Sequence, residues 1–210
     1  MPVLERAMKA TGKIRIIAGQ WRHRLLPVPR YPGLRPSSDR IRETLFNWIG
    51  GDIRDSDCLD LFAGTGALGF EAASRGAARV WMVESVASLC RNLRDQCELL
   101  KADQVQVVHS DALAWVTTAR QAMDYIFLDP PFGDYDLREL LDRLEDSSLI
   151  KATTALYFEC AQESGAQLNA QLANGAAGAQ ELWFLSHCAR AGRVSYNLFQ
   201  RRQSGSGCSR

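Results

Sequence analysis

From residue 57 to residue 144 the chain alternates short apolar runs with stretches of helical periodicity, and this alternation limits the fold more than any other feature. Residues 58–62, 79–83 (RVWMV), 105–108 and 125–128 have the length and composition of buried strands. Residues 66–75, 86–100, 111–118 and 137–144 read as helices. Val86, Leu89, Cys90, Leu93, Cys97 and Leu100 share one helical face, and Leu137, Leu140, Leu141 and Leu144 share another. Such alternation builds a parallel sheet covered by helices on both faces. Three further runs, residues 155–158, 182–185 and 194–199, also read as strands. The last two are separated by residues 187–193, too few for a crossover helix, so they should pair antiparallel. The expected class is therefore α/β: a doubly wound, mostly parallel, seven-stranded Rossmann-like sheet with an antiparallel C-terminal strand pair.

Ahead of that pattern, residues 13–18 and 22–26 flank Gly19-Gln20 and read as a basic β-hairpin. Pro27, Pro29, Pro32 and Pro36 then mark an extended connector. Ser37 or Ser38 should cap a helix running to about residue 49, with Ile41, Leu45, Trp48 and Ile49 inward and Arg40, Arg42 and Glu43 facing elsewhere. The expected organisation is a basic hairpin and helix extension over residues 1–50, an α/β domain over 51–202 and a disordered tail over 203–210. Residues 161–180, rich in Ala, Gln and Gly, suggest a helix followed by a loop. A chain of 210 residues, 46% hydrophobic and 23% charged, can bury one substantial core, which excludes wholesale disorder. It has no run of 18 apolar residues, so no membrane span is expected, and its first twenty residues lack the apolar stretch of a secretory signal. None of the six cysteines forms a C-x-x-C or has zinc spacing to a histidine, so no metal is expected. They read as reduced thiols of a cytoplasmic protein.

Net charge is only +1, but it is unevenly distributed. Residues 1–48 hold ten Lys/Arg against three acids, residues 49–189 hold ten against 21, and residues 190–210 hold five Arg and no acid. A basic arm and a basic tail on an acidic body fit a polyanionic partner, although a solvated surface with chance clustering has the same composition.

Gly64-Thr65-Gly66-Ala67-Leu68-Gly69 spells G-x-G-x-x-G after a strand and before a helix, with Glu84 at the end of the next strand. That is also the dinucleotide fingerprint, so a nicotinamide enzyme has to be weighed. Two residues favour another ligand. Asp60, four residues before the first glycine, would repel a pyrophosphate and pair with an ammonium group. Asp129-Pro130-Pro131-Phe132 falls at the end of the fourth strand, on the carboxyl edge where open α/β sheets bind ligands. Taken singly, each residue has a blander reading. Asp60 and Glu84 could be surface acids, Asp111 a helix cap, Pro130-Pro131 a strand terminator and Phe132 a core aromatic. Trp21, at the hairpin tip, is a candidate contact for a polyanionic partner.

Taken together, these residues resemble a family. The run from Asp60 to Gly69, Glu84, Ser110-Asp111-Ala112 and D-P-P-F look like a class I S-adenosylmethionine-dependent methyltransferase acting on amino groups. With residues 12–19 (GKIRIIAG) and 35–47 (RPSSDRIRETLFN), the chain resembles the bacterial 16S ribosomal RNA guanine-N2 methyltransferases. The resemblance implies cofactor contacts at Asp60, Phe62, Ala63, Gly64, Thr65, Gly66, Glu84, Ser85, Asp111 and Ala112. Asp60 would take the ammonium group, Glu84 the ribose hydroxyls, and Asp111 and Ala112 the adenine. It implies methyl transfer at Asp129, Pro130, Pro131 and Phe132. The carboxylate and the Pro130 carbonyl would accept from the amine while Phe132 stacks on a base drawn out of its stack. Arg22, Arg24, Arg35 and Arg40 would hold RNA, with Arg15, Arg30, Arg42, Arg201 and Arg202 as further phosphate contacts. The implied partner is 16S rRNA, free or within a small-subunit particle or assembly intermediate, met by a monomer. The alternatives are a DNA or protein amino-group methyltransferase and a nicotinamide-dependent oxidoreductase. The acidic stretch Gly133-Asp134-Tyr135-Asp136 departs from the family's usual more basic sequence.

Overall fold

A computed structural model describes residues 10–32, 34, 37–130, 135, 137–161 and 183–201. They fall into two compact units, one ending at Ala112 and the other beginning at Leu113. The expectations for Arg35, Pro131, Phe132 and Arg202, for residues 162–180 and for the tail 203–210 lie outside the described residues.

In the first unit, β1 (Ala10–Arg15) pairs antiparallel with β2 (Leu25–Pro29) as a separate two-stranded sheet. Helix α1 (Asp39–Ile49) starts where Ser38 leaves the extended region and its Oγ accepts from the Ile41 N–H at 3.3 Å, the N-cap expected there. A 3₁₀ turn, Gly50–Ile53, leads to β3 (Asp57–Asp60). Then come α2 (Ala67–Ser74), β4 (Arg79–Glu84), α3 (Ala87–Leu100) and β5 (Val105–His109). The three strands are parallel, with β4 between β3 and β5. Leu59, Val80 and Met82 of the strands and Phe70 and Leu93 of the helices are fully buried, each contributing about 1.5–3 kcal/mol of burial. Every residue of α2 is buried.

Helix α4 (Ala112–Thr118) follows β5 in sequence. The second unit then runs through β6 (Tyr125–Leu128), α5 (Leu137–Glu145), β7 (Ala155–Ala161), β8 (Trp183–Ala191) and β9 (Val194–Arg201). Strand β7 is parallel to β6 and antiparallel to β9, and β8 pairs antiparallel with β9. The turn between β8 and β9 is Gly192-Arg193, and Gly192 holds φ 60° there. Three strands in one unit and four in the other make seven, mostly parallel with an antiparallel C-terminal pair, which is the fold class the sequence led us to expect. No helix of the described residues is long and apolar enough to cross a membrane.

The N-terminal segment corrects four expectations. The strands begin and end further out than residues 13–18 and 22–26; between them the Ile16 N–H donates to the Arg24 carbonyl at 2.9 Å and the Arg22 N–H to the Gly19 carbonyl at 3.2 Å, so the turn at Gly19-Gln20 is present within a longer loop. Pro27 and Pro29 lie within β2 and are not part of a connector; a two-stranded ribbon tolerates proline because its outer edge needs no N–H. Trp21 is not a projecting tip: its side chain is buried and its backbone N–H donates to Ser74 Oγ at 3.0 Å. Arg42 is also buried and cannot be a phosphate contact. Its guanidinium donates to Glu71 Oε2 at 3.1 Å, Asp39 Oδ1 at 2.7 Å and the Arg15 carbonyl at 2.8 Å.

Candidate active site

The loop from β3 to α2 is built on backbone. Asp60 ends β3, is buried, and accepts the Gly69 N–H on Oδ2 at 3.0 Å. Its carboxylate is thus turned toward the first turn of α2, where a negative charge is favoured. Gly66 caps that helix at φ 77°. A Cβ there would lie 2.6 Å from both Leu93 Cδ2 and Phe70 Cε2, so only glycine fits. The chain turns tightly before it, with the Gly66 N–H donating to the Ala63 carbonyl at 2.6 Å.

Glu84 ties this loop to the next strand. Its Oε2 accepts from the Gly64 N–H at 2.9 Å, and its Oε1 accepts from the Val86 N–H at 2.8 Å, just ahead of α3. One carboxylate thus fixes the ends of two crossovers. Each of its oxygens has room for a second donor. Ser85, beside it, is exposed, and its carbonyl lies 3.0 Å from His109 Nε2. At the end of β5, Asp111 is exposed and Ala112 buried. Phe62 is half-buried, and Ala63 and Thr65 are buried in the loop. Asp60, the glycine loop, Glu84 and Asp111 thus all lie at the carboxyl ends of parallel strands in one unit, where α/β sheets take ligands.

Asp129 and Pro130 directly follow β6 in the second unit; Asp129 is half-buried and Pro130 buried. Among the described residues, no group of three or more His, Cys, Asp or Glu could hold a metal ion.

The basic residues divide. Arg22, Arg24 and Arg40 are exposed. Arg15 is exposed and pairs with Asp39 at 2.9 Å. Arg201 is committed to Glu145 at 3.1 Å and lies over the Trp183 ring, 5.5 Å from its centroid. The loop carrying Arg22 and Arg24 is held by two residues that the sequence reading passed over. Buried Glu71 accepts from the N–H groups of Ile17 and Ala18 at 2.9 and 3.0 Å, and also from Arg42 and Arg75. Ser74 Oγ donates to the Ala18 carbonyl at 2.6 Å, and the Ser74 carbonyl accepts from the Gln20 N–H at 2.8 Å. The available signal was Glu71 itself, a lone acid in an otherwise apolar helix, which has to be paired.

None of Cys58, Cys90, Cys97, Cys160 and Cys188 is in a disulfide; Cys58, Cys90 and Cys160 are buried, Cys97 is half-buried and Cys188 exposed. Burial pushes the Cys97 and Cys160 thiols up to about 11, which suits packing and not nucleophilic work.

Residues 14–184 match the family described as conserved hypothetical protein 95. Ribosomal RNA small subunit methyltransferase D of Escherichia coli is 42% identical over 93% of this chain and 93% of its own length. The Haemophilus influenzae protein of the same name is 36% identical over 91% and 95%. A solved structure of a proposed methyltransferase from Escherichia coli superposes with TM-score 0.77 at 39% identity, covering 90% of this chain and 98% of that one. The chain belongs to the family described as conserved hypothetical protein 95 and to that of ribosomal RNA small subunit methyltransferase D.

Proposed function

We propose that this chain transfers a methyl group from S-adenosylmethionine to the exocyclic N2 of one guanine in 16S ribosomal RNA. The RNA is met free or within a small-subunit particle or assembly intermediate, and the chain acts as a cytoplasmic monomer. The observation that carries the reading is the Glu84 carboxylate, pinned by two backbone N–H groups beside a glycine loop that admits no side chain at Gly66. The residues fit the cofactor. Glu84 keeps acceptor capacity for a pair of ribose hydroxyls, exposed Asp111 would accept from an adenine amino group, and the loop of Phe62, Ala63, Gly64, Thr65 and Gly66 offers backbone to a methionine moiety. Asp60 supplies the negative charge for an ammonium group, and Ser85 and Ala112 flank the ribose and adenine positions. When bound, the cofactor supplies an electrophilic methyl on a cationic sulfur.

The work left to the chain is to make an aromatic amine nucleophilic. The amine's lone pair is delocalised into the base, and two acceptors aimed at its N–H groups localise that pair on nitrogen. In this reading Asp129 and the Pro130 carbonyl are those acceptors, and their proline-restricted backbone presets their direction. The nitrogen gains a methyl and sheds one proton, which the Asp129 carboxylate takes. Pro131 and Phe132 complete the motif, with Phe132 stacking on the extruded base. Arg22, Arg24, Arg35 and Arg40 hold RNA phosphates.

Calorimetry tests the cofactor assignment: S-adenosylhomocysteine should bind and NADH should not, and the reverse would overturn it. Asp129→Ala should abolish transfer while cofactor affinity falls far less; equal losses would make Asp129 a cofactor ligand instead. Mass mapping of 16S nucleosides from cells lacking the protein should show one missing N2-methylguanine. An N2-methylguanine complement identical to that of the parent strain would remove the proposed substrate.

A further inference from the structure

A second carboxylate lies beside the transfer motif. In the β6–β7 register, Phe127 is level with Tyr157 and Leu128 with Phe158. Continuing by one residue brings Asp129 level with Glu159 on the adjacent strand. Side chains alternate along strands, so Phe127, Tyr157 and Glu159 share one face of the sheet, and Asp129, the residue after β6, continues that alternation toward the same face. The ring contact agrees: Phe127 and Tyr157 meet edge to face with centroids 6.4 Å apart. Glu159 is buried, and its Oε1 accepts from the Tyr157 hydroxyl at 3.0 Å. Tyr196 of β9 is level with Glu159 on its other side. Burial first, and then the charges of Glu159 and Asp129, push the Tyr157 hydroxyl well above its ordinary range, so it remains a donor and senses both carboxylates.

Burying an acid in β7 disfavours folding unless the charge has a use or a partner. Resting on the functional reading above, we propose that Glu159, oriented by Tyr157, is a positioning residue that acts through Asp129 and supplies the fixed negative field in which the target amine takes up the methyl. As the N–C bond forms, nitrogen becomes cationic. Asp129 touches that nitrogen, and Glu159 behind it favours the same charge from a dry, preorganised site. Tyr157 keeps Glu159 in place, its O–H holding the carboxylate at the sheet face.

The test uses the full chain and 16S rRNA, with kcat, the KM for RNA and calorimetric S-adenosylhomocysteine affinity measured together. Glu159→Gln keeps the shape and removes the charge. It should lower kcat about tenfold, well short of the roughly 10²–10³ that follows removal of a direct transition-state partner. KM and cofactor affinity should stay within a factor of about two, because neither binding step builds positive charge on the amine. Glu159→Asp should recover part of kcat. Tyr157→Phe should lower kcat less than Glu159→Gln does. If Glu159→Gln fails to fold, Tyr157→Phe decides, and an unchanged kcat there overturns the proposal. Asp129→Asn separates this inference from the reading beneath it. If Asp129→Asn is inactive and Glu159→Gln has wild-type kcat, only the present inference fails. If Asp129→Asn keeps full activity, the role given to Asp129 in the functional reading fails, and this inference fails with it.

Discussion

The two ends of helix α2 do different work with different materials. At its N-terminal end the chain uses glycine and main chain: Gly66 at φ 77°, and the Gly69 N–H on Asp60. At its C-terminal end it uses side chains: Glu71 and Ser74 clamp residues 17–21, and Arg75 lies over the Phe46 ring, 4.9 Å from its centroid. The close approach at this end is just as tight, since a Cβ on Gly19 would lie 1.7 Å from the Ser74 carbonyl oxygen. A ligand that must approach backbone needs side chains cleared away. A loop that presents arginines to a polyanion needs its own backbone fastened from behind. In the proposed function one eight-residue helix would serve both, so its two ends should fail differently.

The largest expected effect is at the clamp. Glu71→Ala leaves the buried Arg42 guanidinium without its deepest partner and removes the acceptor of two loop N–H groups, so it should destabilise by about 3–5 kcal/mol in urea denaturation. A loss under about 1 kcal/mol would mean the loop is held by other interactions. Gly66→Ala comes next. It meets Leu93 and Phe70 and a left-handed backbone, so about 1–3 kcal/mol should be lost, together with most of the S-adenosylhomocysteine affinity. Ser74→Ala should cost about 1–2 kcal/mol, weaken RNA binding and leave cofactor affinity intact, which is the sharpest separation of the two ends. Cofactor affinity falling in step with RNA affinity would merge them.

What the sequence made legible follows the same division. The glycine loop and its flanking strands were readable because strand, loop and helix follow one another directly in the chain, and the acids because each lies within or just after a short apolar run that reads as a strand. The antiparallel pair β8–β9 was readable because so short a connection cannot cross over. The clamp was hidden because its partners are 53 and 54 residues apart in sequence, and no local period links Ile17 to Glu71. Arg42 shows why charge counting misleads: it scored as part of a basic arm, yet it faces inward because Glu71 and Asp39 wait there. Trp21 was hidden in the same way: the turn inferred from Gly19-Gln20 exists, but it is bonded to Ser74, 53 residues on, and the Trp21 side chain is buried there. Glu71 and Glu159 share a legible mark, a single acid within an apolar run, and both are buried with specific partners. A charge out of pattern is where sequence reading should expect a long-range partner.

The smallest effect on the fold should come from the residues presented by the clamped loop. Arg22 and Arg24 are exposed, so reversing both to Glu should change stability by no more than about 0.5 kcal/mol. Their effect should appear in RNA binding instead. Every phosphate that a protein ceases to neutralise flattens the dependence of log affinity on log salt by about 0.7–0.9, so the double variant should bind more weakly and flatten that slope by about 1.5 if both arginines touch phosphate. Titration at several salt concentrations measures it. An unchanged slope with unchanged affinity would leave the loop as packing alone, and the clamp at the far end of α2 would then have no ligand to serve.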